Sequence, residues 1–237
     1  MNYICNNYFY FIFIFFFSCV QKKQEHPKNI SIKDLSINLL PSHSYEQSKS
    51  ICEASRKKLL NHRMPFDSIS QTFSNLLLNE IIPHWYCTPW SFEGHTEKPK
   101  KGNIACSYFT ATTLMHLGMK LNRYKLAQQS PLDEAKILAQ NNNIIEISSG
   151  LDDLKNKMSN QANGLYFMGL AENHVGFLLK RKGYLLFIES GYLDPKEVKI
   201  EFVGESQVLK GFQQFYIVPL STNEELMMKW VKGEEVN

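Results

Sequence analysis

The spacing of apolar residues changes once along this chain, from a helical period before about residue 160 to a period of two after it. Helical segments show apolar positions three or four residues apart, and several of them begin at Ser and end at Gly or Pro. The predicted helices run from residue 44 to a break at 61–65, and over 67–82, 106–117, 130–140, 149–160 and 221–231.

Beyond the Asn163-Gly164 turn, short runs of alternating or continuous apolar residues predict strands over 165–170, 174–181, 184–190 and 211–220. Lys182-Gly183 separates the second run from the third and predicts a hairpin between them. Helices followed by a run of antiparallel strands predict an α+β fold.

In the 174–181 strand, a period of two puts Val175, Phe177 and Leu179 on one face, which we expect to be the core face. The other face carries His174 and Gly176. We expect this face to be open, because glycine leaves room for another group to approach the imidazole.

The N-terminus predicts an export signal. Residues 8–17 form an apolar run that is too short for a membrane span, which takes about 20 residues, but has the length of a signal-peptide core. Ser18-Cys19 ends it and resembles a bacterial lipobox, in which Cys19 is the lipidated residue. We therefore expect a lipoprotein signal peptide over 1–18, a polar tether over 19–44 and a domain over 45–237. An uncleaved anchor and an ordinary cleaved signal remain as alternatives.

All three readings of the N-terminus predict a domain outside the cytoplasm, in the bacterial cell envelope, and the first adds a membrane lipid anchor. The composition, with 43% hydrophobic and 21% charged residues, is that of a globular protein. A net charge of +3 without a basic stripe argues against nucleic acid as a partner. Three cysteines lie beyond Cys19, at 52, 87 and 106; a Cys52–Cys87 disulfide is possible, but three reduced thiols are favoured.

Cys106 and His174 are the candidate chemical pair. A thiol at a helix N-terminus lies at the positive end of the helix dipole, which favours the thiolate. An imidazole on a nearby strand can take the proton that the thiol releases. The segment 84–94 is rich in aromatic residues and broken by proline, so we expect a loop that either covers the core or lines a cleft.

A helix-borne Cys, a later strand-borne His and a polar residue on the following strand resemble the papain-like cysteine peptidases, and most closely their NlpC-like branch of cell-wall amidases and endopeptidases. The resemblance covers about 85–192 and is carried by Ala105-Cys106-Ser107 and Asn173-His174-Val175-Gly176-Phe177. It implies helices packed on a small antiparallel sheet. Its third residue is usually His, Asn or Gln; here the hairpin offers Glu189, with Ser190 as the second choice.

The resemblance implies hydrolysis of amide bonds, with peptidoglycan or a peptide as substrate and no cofactor. It places Tyr86, or second His84, near the oxyanion, and we expect Trp85, Trp90 and Ser107 to line the cleft. A catalytically inactive surface module and a thiol acyltransferase are the rival functions. A zinc site built from His84, Cys87, His95 and Cys106 is a further alternative, although chance placement of these residues is favoured over it.

Overall fold

The computed structural model describes residues 30–171 and 173–237. The predicted signal peptide over 1–18 and the predicted lipidation site at Cys19 lie outside these residues. The compact unit starts at Ile32 and continues to Asn237. Within the described residues, no helix combines the length and the apolar character that a bilayer crossing requires.

A six-stranded antiparallel sheet forms the centre of this unit, with the strand order β2-β7-β3-β4-β5-β6, and a two-residue parallel pair β1–β8 lies apart from it. The strands are β1 Lys120–Leu121, β2 Ile145–Ile147, β3 Gly164–Leu170, β4 His174–Arg181, β5 Tyr184–Ser190, β6 Val198–Phe202, β7 Phe215–Pro219 and β8 Glu235–Val236.

Most of the helices precede the strands in the chain, so the predicted α+β class is confirmed. The helices are α1 Tyr45–Asn61, α2 Phe66–Leu76, α3 Ile82–Trp85, α4 Cys106–His116, α5 Arg123–Ala127, α6 Pro131–Ala139, α7 Gly150–Ser159, α8 Gln207–Lys210 and α9 Glu224–Lys232; a 3-10 turn covers Ile32–Leu35, and a π-helical turn over Leu77–Ile81 joins α2 to α3. The sequence patterns did not predict β2, β6, α5 and α8, which are all short.

Both faces of the sheet are covered. On one face, α4 packs against β4, and the rings of Phe109 and Phe177 meet at 6.0 Å. On the other face, Leu178 and Phe187 belong to a buried apolar cluster that includes Leu154 of α7. Because helices bury both sides, the strands next to the site are apolar on both faces, which a one-sided alternating pattern does not show.

The expectation of an open face around Gly176 is wrong. A Cβ atom at this position would lie 2.5 Å from Phe187 Cε2 on the neighbouring strand, so the space that the missing side chain leaves is already filled. Glycine is required here by close packing between strands rather than by access to the imidazole.

Pro83 does not end the helix that precedes it, contrary to the prediction. The π-helical turn over Leu77–Ile81 restarts the helix as α3, and Pro83 then falls in the first turn of the new segment. A proline is tolerated there because the first amides of a helix have no intrahelical acceptor. His84 and Trp85 are therefore helical and buried, not part of a loop.

Residues 32–44, which the sequence assigned to a tether, belong to the compact unit. Leu35 and Ile37 are buried in the domain, and the Arg181 guanidinium donates to the carbonyl oxygens of Leu35 and Ser36, at 3.1 Å each. These contacts move the domain boundary from residue 45 to Ile32.

Candidate active site

Cys106 is the first residue of α4, as predicted. Ala105 precedes it in an extended conformation and has no side-chain group that could cap the helix. The first amides of α4 therefore remain available to groups at its N-terminus. The backbone amides of Ser107 and Val175 both help to lower the pKa of the Cys106 thiol, so the start of the helix and the start of β4 meet at the thiol.

Two contacts fix the chain directly before the nucleophile. Gly94 approaches it so closely that a Cβ atom would lie 2.6 Å from Ile104 N, and the Gly94 oxygen accepts from Ala105 N at 2.7 Å. From the end of β5, the Ser190 hydroxyl donates to the Ile104 oxygen at 2.7 Å. Ser190 thus holds the approach to α4 and does not orient the imidazole, which was its alternative predicted role.

His174 begins β4 and is almost completely buried, with 1% of its surface exposed. Its Nε2 lies 2.5 Å from Glu189 Oε2, and the Glu189 side chain is 0% exposed. A side-chain hydrogen bond also joins His174 to Cys106. Since Glu189 occupies Nε2, Nδ1 is the ring nitrogen that remains for the thiol. The imidazole therefore connects the thiol to a buried carboxylate.

Strand register explains why Glu189 reaches His174. The β4–β5 ladder pairs Phe177 with Ile188. One residue further along, Gly176 falls opposite Glu189, on the sheet face that also carries His174. This pairing brings the carboxylate to the imidazole, while the Phe187 ring fills the space beside Gly176. The sequence alone did not determine this register; the observed pairing of β4 with β5 does.

The electrostatics of the pair favour thiolate and imidazolium. Burial by itself raises the pKa of the Cys106 thiol, but the hydrogen bond and charge of His174, together with the amides of Val175 and Ser107, outweigh burial and bring this pKa below its ordinary value. Burial disfavours a charged His174, yet its bonds to Cys106 and Glu189 and their negative charges raise its pKa to about 9. Each partner therefore stabilises the charged form of the other.

A cleft of about 640 Å³ opens onto Cys106 and His174. Its walls are rich in aromatic residues: Trp90, Phe92, Tyr108 and Tyr192. The Tyr192 ring meets the imidazole edge to face at 5.3 Å, and Phe92 at the rim is 80% exposed. Ser107 also lines the cleft, so two of the predicted lining residues, Trp90 and Ser107, are present there.

The other predicted lining residues lie elsewhere. His84 Nε2 lies 3.1 Å from the Ser48 hydroxyl, and Trp85 Nε1 donates to Tyr45 OH at 2.8 Å, so both side chains connect α3 to α1. Tyr86 is buried at the end of α3 and does not line the cleft. The expectations for these residues, that Tyr86 or His84 lies near the oxyanion and that Trp85 lines the cleft, are corrected. His84 and Trp85 lie in α3 and Tyr86 directly follows it, and all three are buried in the interior.

The proposed zinc ligands do not come together. Among the described residues, no group of three or more His, Cys, Asp or Glu side chains is arranged to hold a metal ion. His84 is paired with Ser48, and His95 Nδ1 lies 2.8 Å from the Glu93 carbonyl oxygen. Cys52, Cys87 and Cys106 are all free thiols, so the Cys52–Cys87 bridge is not formed.

Glu134 is a functional candidate that sequence reasoning missed. It lies in the first turn of α6, where an acidic residue is ordinary helix chemistry, and the pattern gave no sign of its burial. The side chain is 0% exposed, and burial raises its pKa well above the ordinary value, against a smaller opposite effect of the Ser107 side chain. A negative charge on Glu134 would repel the Cys106 thiolate, and the raised pKa of Glu134 works against that charge.

Comparisons with known proteins identify no relative of this chain. No family model, no curated protein and no solved structure matches the chain.

Replacing His174 with Ala should raise the pH midpoint for alkylation of Cys106 by about one to two units, because burial then acts on the thiol without an imidazolium to oppose it. The measurement is the rate at which iodoacetamide alkylates Cys106 as a function of pH, with the modified cysteine identified by peptide mass spectrometry. Cys52 is an internal control: burial raises its pKa to about 12, so it should stay unreactive in both proteins. Equal midpoints for Cys106 in the two proteins would contradict the pairing.

The substitution Glu134→Gln should stabilise the fold more at pH 8 than at pH 5. With a raised folded-state pKa, Glu134 keeps its proton in the native protein but releases it on unfolding, so the wild type loses stability as pH rises above the ordinary value of 4.5. The loss is about 1.4 kcal/mol per pH unit while pH lies between the two pKa values. Urea unfolding measures the free energy of unfolding at each pH, with the exposed residue variant Glu224→Gln as the control. A stability difference between Glu134→Gln and the wild type that does not change with pH would refute the raised pKa of Glu134.

Proposed function

We propose that this domain is an exported cysteine hydrolase with a papain-like core of the NlpC-like type, and that it cleaves amide bonds by acyl transfer to Cys106. The observation that carries the proposal is that His174 bonds both to the Cys106 thiol and to the buried carboxylate of Glu189. A nucleophile, a base and a group that orients the base then form one connected unit at the floor of a cleft.

The arrangement of elements supports the papain-like part of the proposal. The thiol begins a helix that packs on an antiparallel sheet, and the imidazole begins a strand of that sheet. The orienting residue lies on the next strand, fifteen residues after the imidazole. Glu189 differs from the neutral or imidazole group usual at this position, but a carboxylate accepts from the ring N–H and stabilises imidazolium in the same way as in other catalytic triads.

In the first step, the Cys106 thiolate attacks the carbonyl carbon of the scissile amide, a C–S bond forms and the carbonyl electron pair moves to oxygen. The backbone N–H of Cys106 is the oxyanion donor, because a first-turn helical amide has no intrahelical acceptor. When the C–N bond breaks, His174 gives its proton to the leaving amine, and a thioester remains on Cys106.

In the second step, water attacks the thioester and His174 takes the proton from it. The C–S bond breaks, the carboxylic acid leaves and the thiolate–imidazolium pair returns. Glu189 holds the ring at one orientation through both steps and stabilises the imidazolium whenever it forms. No cofactor takes part in this sequence.

Peptidoglycan is the substrate class that we propose, with the protein held in the bacterial envelope by a lipid on Cys19. The lipobox-like end of the apolar N-terminal run supports the location. The cleft supports a substrate with flat or apolar groups, since aromatic side chains make up much of its wall. A thiol acyltransferase would use the same thioester with an acceptor other than water, and a surface binding module would use the cleft without forming the thioester.

Replacing Cys106 with Ala should abolish the release of free amine groups from purified cell wall, because the substitution removes the atom that forms the thioester. The loss should be at least about 1,000-fold, as for other essential nucleophiles. Cys87→Ser is the matched control, since Cys87 is an exposed free thiol outside the cleft, and this variant should keep full activity.

Unchanged amine release by Cys106→Ala would refute the proposal. A thioester that forms on Cys106 but waits for an added amine or alcohol acceptor would support acyl transfer to that acceptor instead of hydrolysis. A wild-type protein that binds cell wall and never forms the thioester would support the surface binding module.

A further inference from the structure

Glu189 has a second charged neighbour besides His174. Lys199 lies directly opposite Glu189 in the β5–β6 ladder, so both side chains project from the same face of the sheet. Lys199 Nζ is 3.5 Å from Glu189 Oε1, the oxygen that His174 does not contact. Lys199 Nζ also lies 3.1 Å from Glu201 Oε2.

The burial of this group makes the lysine important. Glu189 is 0% exposed, whereas Lys199 and Glu201 are 18% and 20% exposed, so the charges run from the interior towards the surface. Within the described residues, Glu189 Oε1 accepts no hydrogen bond, and the Lys199 ammonium is the nearby charge that compensates it. A buried carboxylate without such compensation carries a large desolvation cost.

We propose that Lys199 is a positioning residue of the active site: it balances the charge of the Glu189 carboxylate and holds it in place, so that this carboxylate orients His174 and supports the imidazolium. The inference rests on the proposed function, because it assigns Lys199 a role in the same thiolate–imidazolium pair. It also explains how a carboxylate can orient the imidazole at a position where the family that the chain resembles usually has His, Asn or Gln.

The charges around Lys199 fix the sign of its effect. The groups that face this part of the site are Glu189 on β5, Glu201 on β6, His174 on β4, Cys106 on α4 and, after β5, Tyr192, whose pKa is raised by burial and by the charges of Glu189 and Cys106. Without Lys199, the Glu189 carboxylate loses the charge that holds it in place, so it supports the His174 imidazolium less well. The imidazolium then stabilises the thiolate less, and the Cys106 thiol should lose its proton at higher pH.

The test is the pH profile of Cys106 alkylation by iodoacetamide in the full-length protein, which needs no substrate. Lys199→Met should move the profile upward by about half a pH unit to one unit. Lys199→Arg keeps the charge and should overlay the wild type. Glu201→Gln removes a negative charge near the surface and should move the profile the other way, which provides a second test if Lys199→Met does not fold. Lys155→Met is the matched control, because the Lys155 side chain of α7 is exposed.

A double variant separates positioning from a direct charge effect. If Lys199 acts through Glu189, adding Lys199→Met to Glu189→Gln should produce less than half of the shift that it produces alone. Three results would each overturn the inference. The profiles of Lys199→Met and the wild type could overlay, or Lys199→Met and Lys199→Arg could shift the profile equally. Alternatively, Lys199→Met could produce its full shift in the Glu189→Gln background. A wild-type Cys106 with the profile of an ordinary exposed thiol would overturn the proposed function as well.

Discussion

The contact between His174, Cys106 and Glu189 is the interaction on which the rest of the site depends. Both His174 and Glu189 are almost completely buried, and burial opposes the charge on each member of the group. What makes charges stable there is that they alternate in sign from the thiolate through the imidazolium to the carboxylate. Glu134 belongs to the same balance: burial raises its pKa, which works against a further negative charge beside the thiol. The site is therefore best understood as one set of interacting charges, and not as a single reactive cysteine.

The fold supports this group by bringing separate segments to one place. The pairing of β4 with β5 brings the Glu189 carboxylate to the His174 imidazole. Ser190, the residue after Glu189, holds the chain before Cys106 through the Ile104 carbonyl. One strand end thus orients the base and fixes the start of the helix that carries the nucleophile. Small displacements of that strand should affect both at once, since positioning errors of about 1 Å are costly in catalysis.

The parts of the site that sequence predicted are those with a local signal. A helix beginning at Cys106 and the hairpin from His174 follow from periodicity and turn residues. The family resemblance then directed attention to Glu189 on the second strand of that hairpin, but the strand register that brings it to His174 could not be predicted. The errors come from tertiary effects. The π-helical turn before Pro83 kept the chain helical, so His84 and Trp85 became core residues. The Phe187 ring of the neighbouring strand fills the space at Gly176 that was expected to be open. No local sequence pattern identifies Glu134 or Lys199, because Glu134 matters through its burial and Lys199 through its neighbour on the adjacent strand.

The most direct measurement of the central claim is an NMR titration of the His174 imidazole in the full-length protein and in Cys106→Ala. The account predicts that His174 titrates near pH 9 in the wild type, far above its ordinary value of 6.5. It also predicts a clearly lower midpoint in Cys106→Ala, because the thiolate that stabilises the imidazolium is gone. A wild-type midpoint at or below 6.5 that does not change when Cys106 is replaced would contradict the account.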